Sequence, residues 1–181
     1  LTKYAAEMEV WRATQEGLDV VIVNPGVILG AGSWHTGSGA IFKLAHKGMS
    51  YFTSGSIAVV DVRDVVLAMQ GLMNSDLKNE RYILVGATLS YKEFTKELAL
   101  AFDKNPPEKE IAEWKLLLLS SIDGLVSSLF GTKRKLQKAN VKSLYTRSNY
   151  NAHKIEKALS FSFTTISQTI KRVASDYKSE H

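Results

Sequence analysis

An α/β fold, a parallel-stranded core with a mostly helical tail, is the class that this sequence predicts, and three observations predict it. Short apolar runs rich in β-branched or aromatic residues recur at 20–23, 57–60 and 82–85, the kind of segment that fills a buried parallel strand. Segments with helical spacing precede or follow each run, so strand and helix alternate. Beyond Asn105-Pro106-Pro107 the spacing becomes helical almost throughout. We therefore expect an α/β region over residues 1–104, with elements of a substrate domain interleaved, and a mostly helical substrate-domain tail over 105–181.

Each element has its own signal. Tyr4, Met8 and Trp11 stand at i, i+4 and i+7, which predicts an amphipathic helix that Gly17 can end. Val20, Val21, Ile22 and Val23 form the first strand, expected to be covered on both faces. Asn24-Pro25-Gly26 and Gly30-Ala31-Gly32 then break the chain before a short helix over 38–46, with Ser38 at its start as N-cap. The strand at 57–60 runs into Asp61, expected to cap a helix whose stripe is Val62, Val65, Val66, Met69, Leu72 and Met73. A strand at 82–85 and a helix capped by Ser90 follow, with Tyr91, Phe94, Leu98 and Phe102 facing inward. The tail is expected as helices over 110–130, 133–144, 151–159 and 165–177.

Composition narrows the function classes. The chain has 181 residues, 45% of them hydrophobic, enough to bury a core of its own. It has no cysteine, which removes disulfides and thiolate metal sites and fits a reducing, cytoplasmic setting. Net charge is +5, but the one tight basic run is Lys133, Arg134, Lys135 and Lys138, which reads as a solvated helix start, so no nucleic-acid partner is expected. The most apolar window, 111–130, carries Glu113, Lys115 and Asp123, so no membrane span is expected, though the window can lie on a surface. His35, His46, His153 and His181 are scattered rather than paired, and no metal is expected. Asp61 and Asp64 read as helix-start residues, with Arg63 or a neighbour able to pair with Asp64.

Several strings in order carry more. Lys3-Tyr4-Ala5-Ala6-Glu7, the run from Val20 through Asn24-Pro25-Gly26-Val27 to Gly32, Val60-Asp61-Val62-Arg63-Asp64-Val65, and Tyr150-Asn151-Ala152-His153-Lys154-Ile155 resemble consecutive landmarks of the extended short-chain dehydrogenase/reductases. Within that superfamily, also named for NAD-dependent epimerases and dehydratases, the likeness is to the dihydroflavonol-reductase-like branch. It implies a partial Rossmann-like parallel sheet, the carboxyl-terminal half of such an enzyme, because neither the glycine-rich phosphate loop nor the tyrosine of the Tyr-x-x-x-Lys pair falls within the chain.

The resemblance also implies a chemistry. In the family a hydride passes between the nicotinamide ring of NAD or NADP and a carbonyl carbon while a tyrosine handles the proton. Lys3 matches the family lysine, whose positive charge favours the phenolate and which also holds the nicotinamide ribose; on spacing alone it reads as an exposed lysine at a helix start, and it is the resemblance that gives it a function. Pro25, Gly26 and Val27 match the turn lining the nicotinamide pocket, and on their own are a strand-ending turn. Ser38 matches a residue near the cofactor amide or substrate, beside its plain reading as a cap. Trp34, Phe42, His35, Trp114 and Tyr145 are either substrate-pocket walls or core. Arg147 occupies the place of an arginine that grips the diphosphate of nucleotide sugars. The implied function is reduction of a small carbonyl; nucleotide-sugar epimerisation or dehydration, and a non-catalytic cofactor-sensing or interaction module, are the alternatives. A homodimer is among the assemblies the resemblance allows, and the half-length chain is expected to be inactive alone.

Overall fold

The computed structural model describes residues 2–130 and 137–181. The first part of the chain is α1 (Thr2–Thr14), β1 (Val21–Pro25), β2 (Val27–Leu29), α2 (Gly37–Lys47), β3 (Tyr51–Phe52), β4 (Ser56–Asp61) and α3 (Val62–Met73). Then come β5 (Glu80–Leu84), β6 (Ala87–Ser90), α4 (Tyr91–Ala101), β7 (Lys109–Glu110), α5 (Glu113–Phe130), α6 (Lys138–Ser143), α7 (His153–Leu159) and α8 (Ile166–Glu180). The fold is mixed α/β with parallel pairing, as the sequence predicts.

Among the described residues the strands form three small sheets. β1 pairs in parallel with β5, β2 in parallel with β4, β6 antiparallel with β4, and β3 in parallel with β7. The first two sheets are joined at paired crossings. The chain leaves β1 beside β5 and, one residue on at Gly26, enters β2 beside β4; it leaves β5 and, past Gly86, enters β6 on the other edge of β4. The amide of Gly26 donates to the Leu84 carbonyl at 3.0 Å and that of Gly86 to the Val59 carbonyl at 2.9 Å. A Cβ on Gly26 would lie 2.6 Å from the Ala58 carbonyl oxygen, so the crossing closes only around a residue without a side chain.

β4 divides the core because successive strand side chains point to opposite faces. Val59 packs with Leu29, Phe42, Phe94, Leu98, Ile170 and Val173, beneath α2, α4 and α8. Val60 packs with Val65, Leu72, Tyr82, Leu84 and Ile155, beneath α3 and α7. α8 buries Ile166, Ile170, Val173 and Tyr177, a single helical stripe, against the first of these clusters, so the end of the tail shares the core of the region before residue 105. No helix among the described residues is long and apolar enough to cross a membrane.

Some sequence expectations are corrected. α1 buries none of its residues: Tyr4 is 68% exposed and Met8 38%, while Trp11 is half-buried. β1 is only partly buried, being paired with β5 on one side. On α3 the buried side is Asp64, Val65, Ala68 and Leu72, whereas Val66, Met69 and Met73 face outward. Asp64 accepts hydrogen bonds from the Thr164 amide and hydroxyl rather than pairing with Arg63. α2 begins one residue early, with Thr36 in the N-cap position, so Ser38 is in the first turn rather than capping it. β2, β3, β6 and β7 are strands that the apolar patterning did not predict. Of the basic run, Lys133, Arg134 and Lys135 lie outside the described residues.

Candidate functional site

Where the first sheet hands over to the second, the carboxyl ends of β1 and β5 meet the starts of β2 and β4 around a cleft of about 740 Å³. Its floor is Asn24, Pro25, Gly26 and Val27 with Ile57 and Ala58. One wall is Arg81, Ile83 and Val85 of the β5 strand and its exit, together with Tyr91 at the start of α4. The other wall is a strap from Ser143 to Tyr150. A volume of this size lies in the range of small-molecule sites, and ligands in open α/β sheets gather at strand carboxyl ends where the chain changes direction.

Backbone bonds hold the strap in place. The amides of Gly55 and Ser56 donate to the carbonyls of Leu144 and Thr146, at 3.1 and 3.0 Å. The Ser56 hydroxyl donates to the Ser148 carbonyl at 3.0 Å and accepts from the Ser148 amide at 2.9 Å. A Cβ on Gly55 would lie 2.4 Å from the Leu144 oxygen, so this contact too needs glycine.

The other anchor is Glu7, on α1. Its carboxylate accepts from the Arg81 guanidinium at 2.9 Å, from Trp11 Nε1 at 3.4 Å and from Asn24 Nδ2 at 3.4 Å. The Arg81 hydrogen bond chiefly holds the Glu7 carboxyl below its ordinary value. One side chain thus ties the first helix to two residues of the cleft. Burial pushes the Tyr91 phenol above its ordinary value.

The structure brings together some of the sequence-derived candidates and separates others. Pro25, Gly26 and Val27 all line the cleft. Lys3 is exposed on the first turn of α1, four residues before Glu7 and so on the same helical face, and is not among the cleft-lining residues. Ser38 is half-buried and outside the cleft lining. Trp34 and Phe42 are core: Trp34 is 5% exposed, donates its indole N–H to Glu180 and meets the Tyr177 ring edge-on at 5.0 Å, and Phe42 is fully buried. His35 and Trp114 are exposed, and Tyr145 donates its hydroxyl to the Ile111 carbonyl. Arg147 donates to the Ser54 carbonyl at 3.1 Å and opens on a neighbouring hollow of about 460 Å³ that shares Ser56 and Ser148 with the cleft. In that hollow the Thr88 hydroxyl is buried without a partner among the described residues. Glu7, Arg81, Tyr91 and Tyr150 carried no site role in the sequence reading. The i, i+4 spacing of Lys3 and Glu7 was a signal for one of them; Arg81 reaches the site only through the pairing of Ile22 with it across β1 and β5.

The fold is that of solved nucleotide-sugar epimerases and dehydratases, with which the chain superposes at low sequence identity. A curated protein of Synechocystis, provisionally named a dihydroflavonol 4-reductase, is 27% identical over 93% of this chain and 51% of its own length. The crystal structure of a nucleoside-diphosphate-sugar epimerase from Pseudomonas aeruginosa superposes with a TM-score of 0.76 at 19% identity, over 98% of this chain and 54% of that one. That of the Thermus thermophilus UDP-glucose 4-epimerase in complex with NAD gives 0.65 at 17%, over 97% and 51%. Other structural neighbours are complexes with NADPH. No family model matches the sequence. The chain spans about half the length of the relatives it matches.

Proposed function

We propose that this chain is the substrate-side, carboxyl-terminal half of an NAD(P)-dependent reductase acting on a small carbonyl compound. The observation that carries the reading is the cleft at Pro25, Gly26 and Val27, with α1 locked to its rim through Glu7, Asn24 and Arg81. The residues suit the nicotinamide end of the cofactor. With no side chain at Gly26, Pro25 and Val27 form an exposed apolar edge over a floor of Ile57 and Ala58, a surface for a flat ring. When bound, the nicotinamide supplies or accepts a hydride.

The chain's own residues do the rest. Glu7 fixes the roll of α1 and therefore the position of Lys3 one turn away on the same face. In the full-length protein the Lys3 ammonium would favour the charged form of a tyrosine phenol one helical turn before it, drawing its pKa, ordinarily about 10, toward working pH. The strap from Ser143 to Tyr150 covers one side of the cleft and limits water there. In the full-length protein, Lys3→Ala should lower kcat by ~100-fold or more while circular dichroism stays unchanged. An unaltered kcat for reduction of small aldehydes and ketones would sink the proposal.

A nucleotide-sugar epimerase or dehydratase is the second reading, supported by Arg147 and the unpartnered Thr88 hydroxyl in the adjoining hollow. It requires that Arg147→Ala raise KM for a uridine- or thymidine-diphosphate sugar; turnover of simple carbonyls indifferent to Arg147 supports the first reading instead.

A further inference from the structure

We propose that α5 and α6 form a docking surface for an anionic lipid bilayer, on which the protein sits peripherally. The inference does not depend on the reductase reading. Among its described residues α5 exposes Trp114 at 63%, Leu118 at 55%, Leu119 at 51% and Ile122 at 49%. At about 100° per residue they fall within an arc of roughly 140° on one side of the helix. Lys115 lies inside that arc, its ammonium 5.5 Å from the centre of the Trp114 ring. Glu113 and Asp123, the acidic residues of α5, fall outside it by the same spacing.

The neighbouring helix gives the surface its sign. Between α5 and α6 runs a groove of about 690 Å³ with Trp114, Leu117, Leu118 and Ser121 on one wall and Lys138, Ala139 and Lys142 on the other. Among the described residues, the charged side chains lining it are Lys138 and Lys142. An exposed tryptophan, a row of leucine and isoleucine, and lysines at the border match the layers of a bilayer interface, where indole sits at headgroup depth and ammonium groups meet lipid phosphate. Since no helix of the described residues can span a bilayer, the docking is parallel to the surface. An acidic protein partner would satisfy the lysines, but it gives no reason for a broad apolar arc that includes Trp114 at the border.

The test is co-sedimentation of the full-length protein with phosphatidylcholine vesicles, with and without phosphatidylglycerol, at low and high salt. We expect partition onto the phosphatidylglycerol vesicles, weakened by salt, with a blue shift of tryptophan emission that Trp114→Phe removes. Lys138→Gln with Lys142→Gln should reduce partition by about 30-fold, from the usual contribution of a lysine at an anionic surface. Leu118→Ser with Ile122→Ser, both exposed and so tolerated by the fold, should reduce it as well. No partition, equal partition onto pure phosphatidylcholine, binding to acidic peptides alone, or a dimer that Trp114→Ser converts to monomer would each overturn the proposal.

Discussion

Asp61 shows how one residue joins two ends of the chain. Its carboxylate caps α3 by accepting from the Arg63 amide at 2.8 Å, and from 108 and 111 residues further on it accepts from the Thr169 hydroxyl and, on both oxygens, from the Arg172 guanidinium, each at 2.8 Å. Burial pushes the Asp61 carboxyl up, but the Arg172, Arg63 and Thr169 donors outweigh it and hold it below its ordinary value. A depressed carboxylate stabilises the fold fully above the unfolded value, about pH 4, and loses that contribution as pH falls through the native one. Arg172→Met leaves a buried charge unpaired and should cost about 3 kcal/mol at neutral pH. That penalty should shrink on acidification, when Asp61 takes up a proton in the variant before it does in the native protein. Urea titrations at pH 7 and pH 3 read both; a penalty independent of pH would mean that Arg172 acts through packing alone. Gly26 is the second such residue. With φ outside the left-handed region, Gly26→Ala is opposed by contact only: its Cβ meets backbone, the Ala58 oxygen at 2.6 Å, and β4 must move. We expect a loss of ~1–3 kcal/mol in the same titration, and a neutral result would show that the strand crossing can open without cost.

At the scale of elements, α4 is the most completely specified helix. Ser90 accepts from the Glu93 amide and Glu93 reaches back to the Ser90 amide, a reciprocal cap. Ser90→Ala should lower stability by ~1 kcal/mol, seen as an earlier thermal midpoint, with no change in the far-ultraviolet spectrum below it. Ser90 as a cap, and Asp61 at the head of α3, were legible because capping is local: the acceptor and its amides lie within three residues. The apolar runs that became β1, β4 and β5 were legible for a similar reason. β2 and β6 were not, since Val27–Leu29 continues from a turn and Ala87–Ser90 is half-buried, so neither stands apart as an apolar run. The outward turn of Val66, Met69 and Met73 was hidden as well, because periodicity finds a stripe but not which edge of it meets the sheet. The same limit governs the site. Pro25, Gly26 and Val27 follow a strand and could be placed at its carboxyl end from sequence alone, whereas Trp34 and Phe42 join the core only because α8 folds back over α2, a contact spanning more than a hundred residues.

Across the whole molecule, the distribution of charge at helix starts decides what this chain can hold. A dinucleotide binds through its pyrophosphate, which needs a helix amino terminus with free amides after a strand. Among the described residues two helices directly follow strands, and both termini are already taken by acids. Asp61 caps α3, and at α4 the Glu93 carboxylate closes over the Ser90 amide. A phosphate approaching either would meet a carboxylate and an amide already bonded. What the chain does offer is the cleft at Gly26, large enough for a ring and a small substrate and bounded by Arg81, whose guanidinium is shared with Glu7. The 181-residue chain should therefore bind NADH and NADPH more weakly than about 1 mM, less than ~4 kcal/mol of binding free energy. Isothermal calorimetry measures this directly. Affinity in the micromolar range would mean that a phosphate cradle exists within these residues, and the division of labour proposed between this half and its counterpart would have to be abandoned.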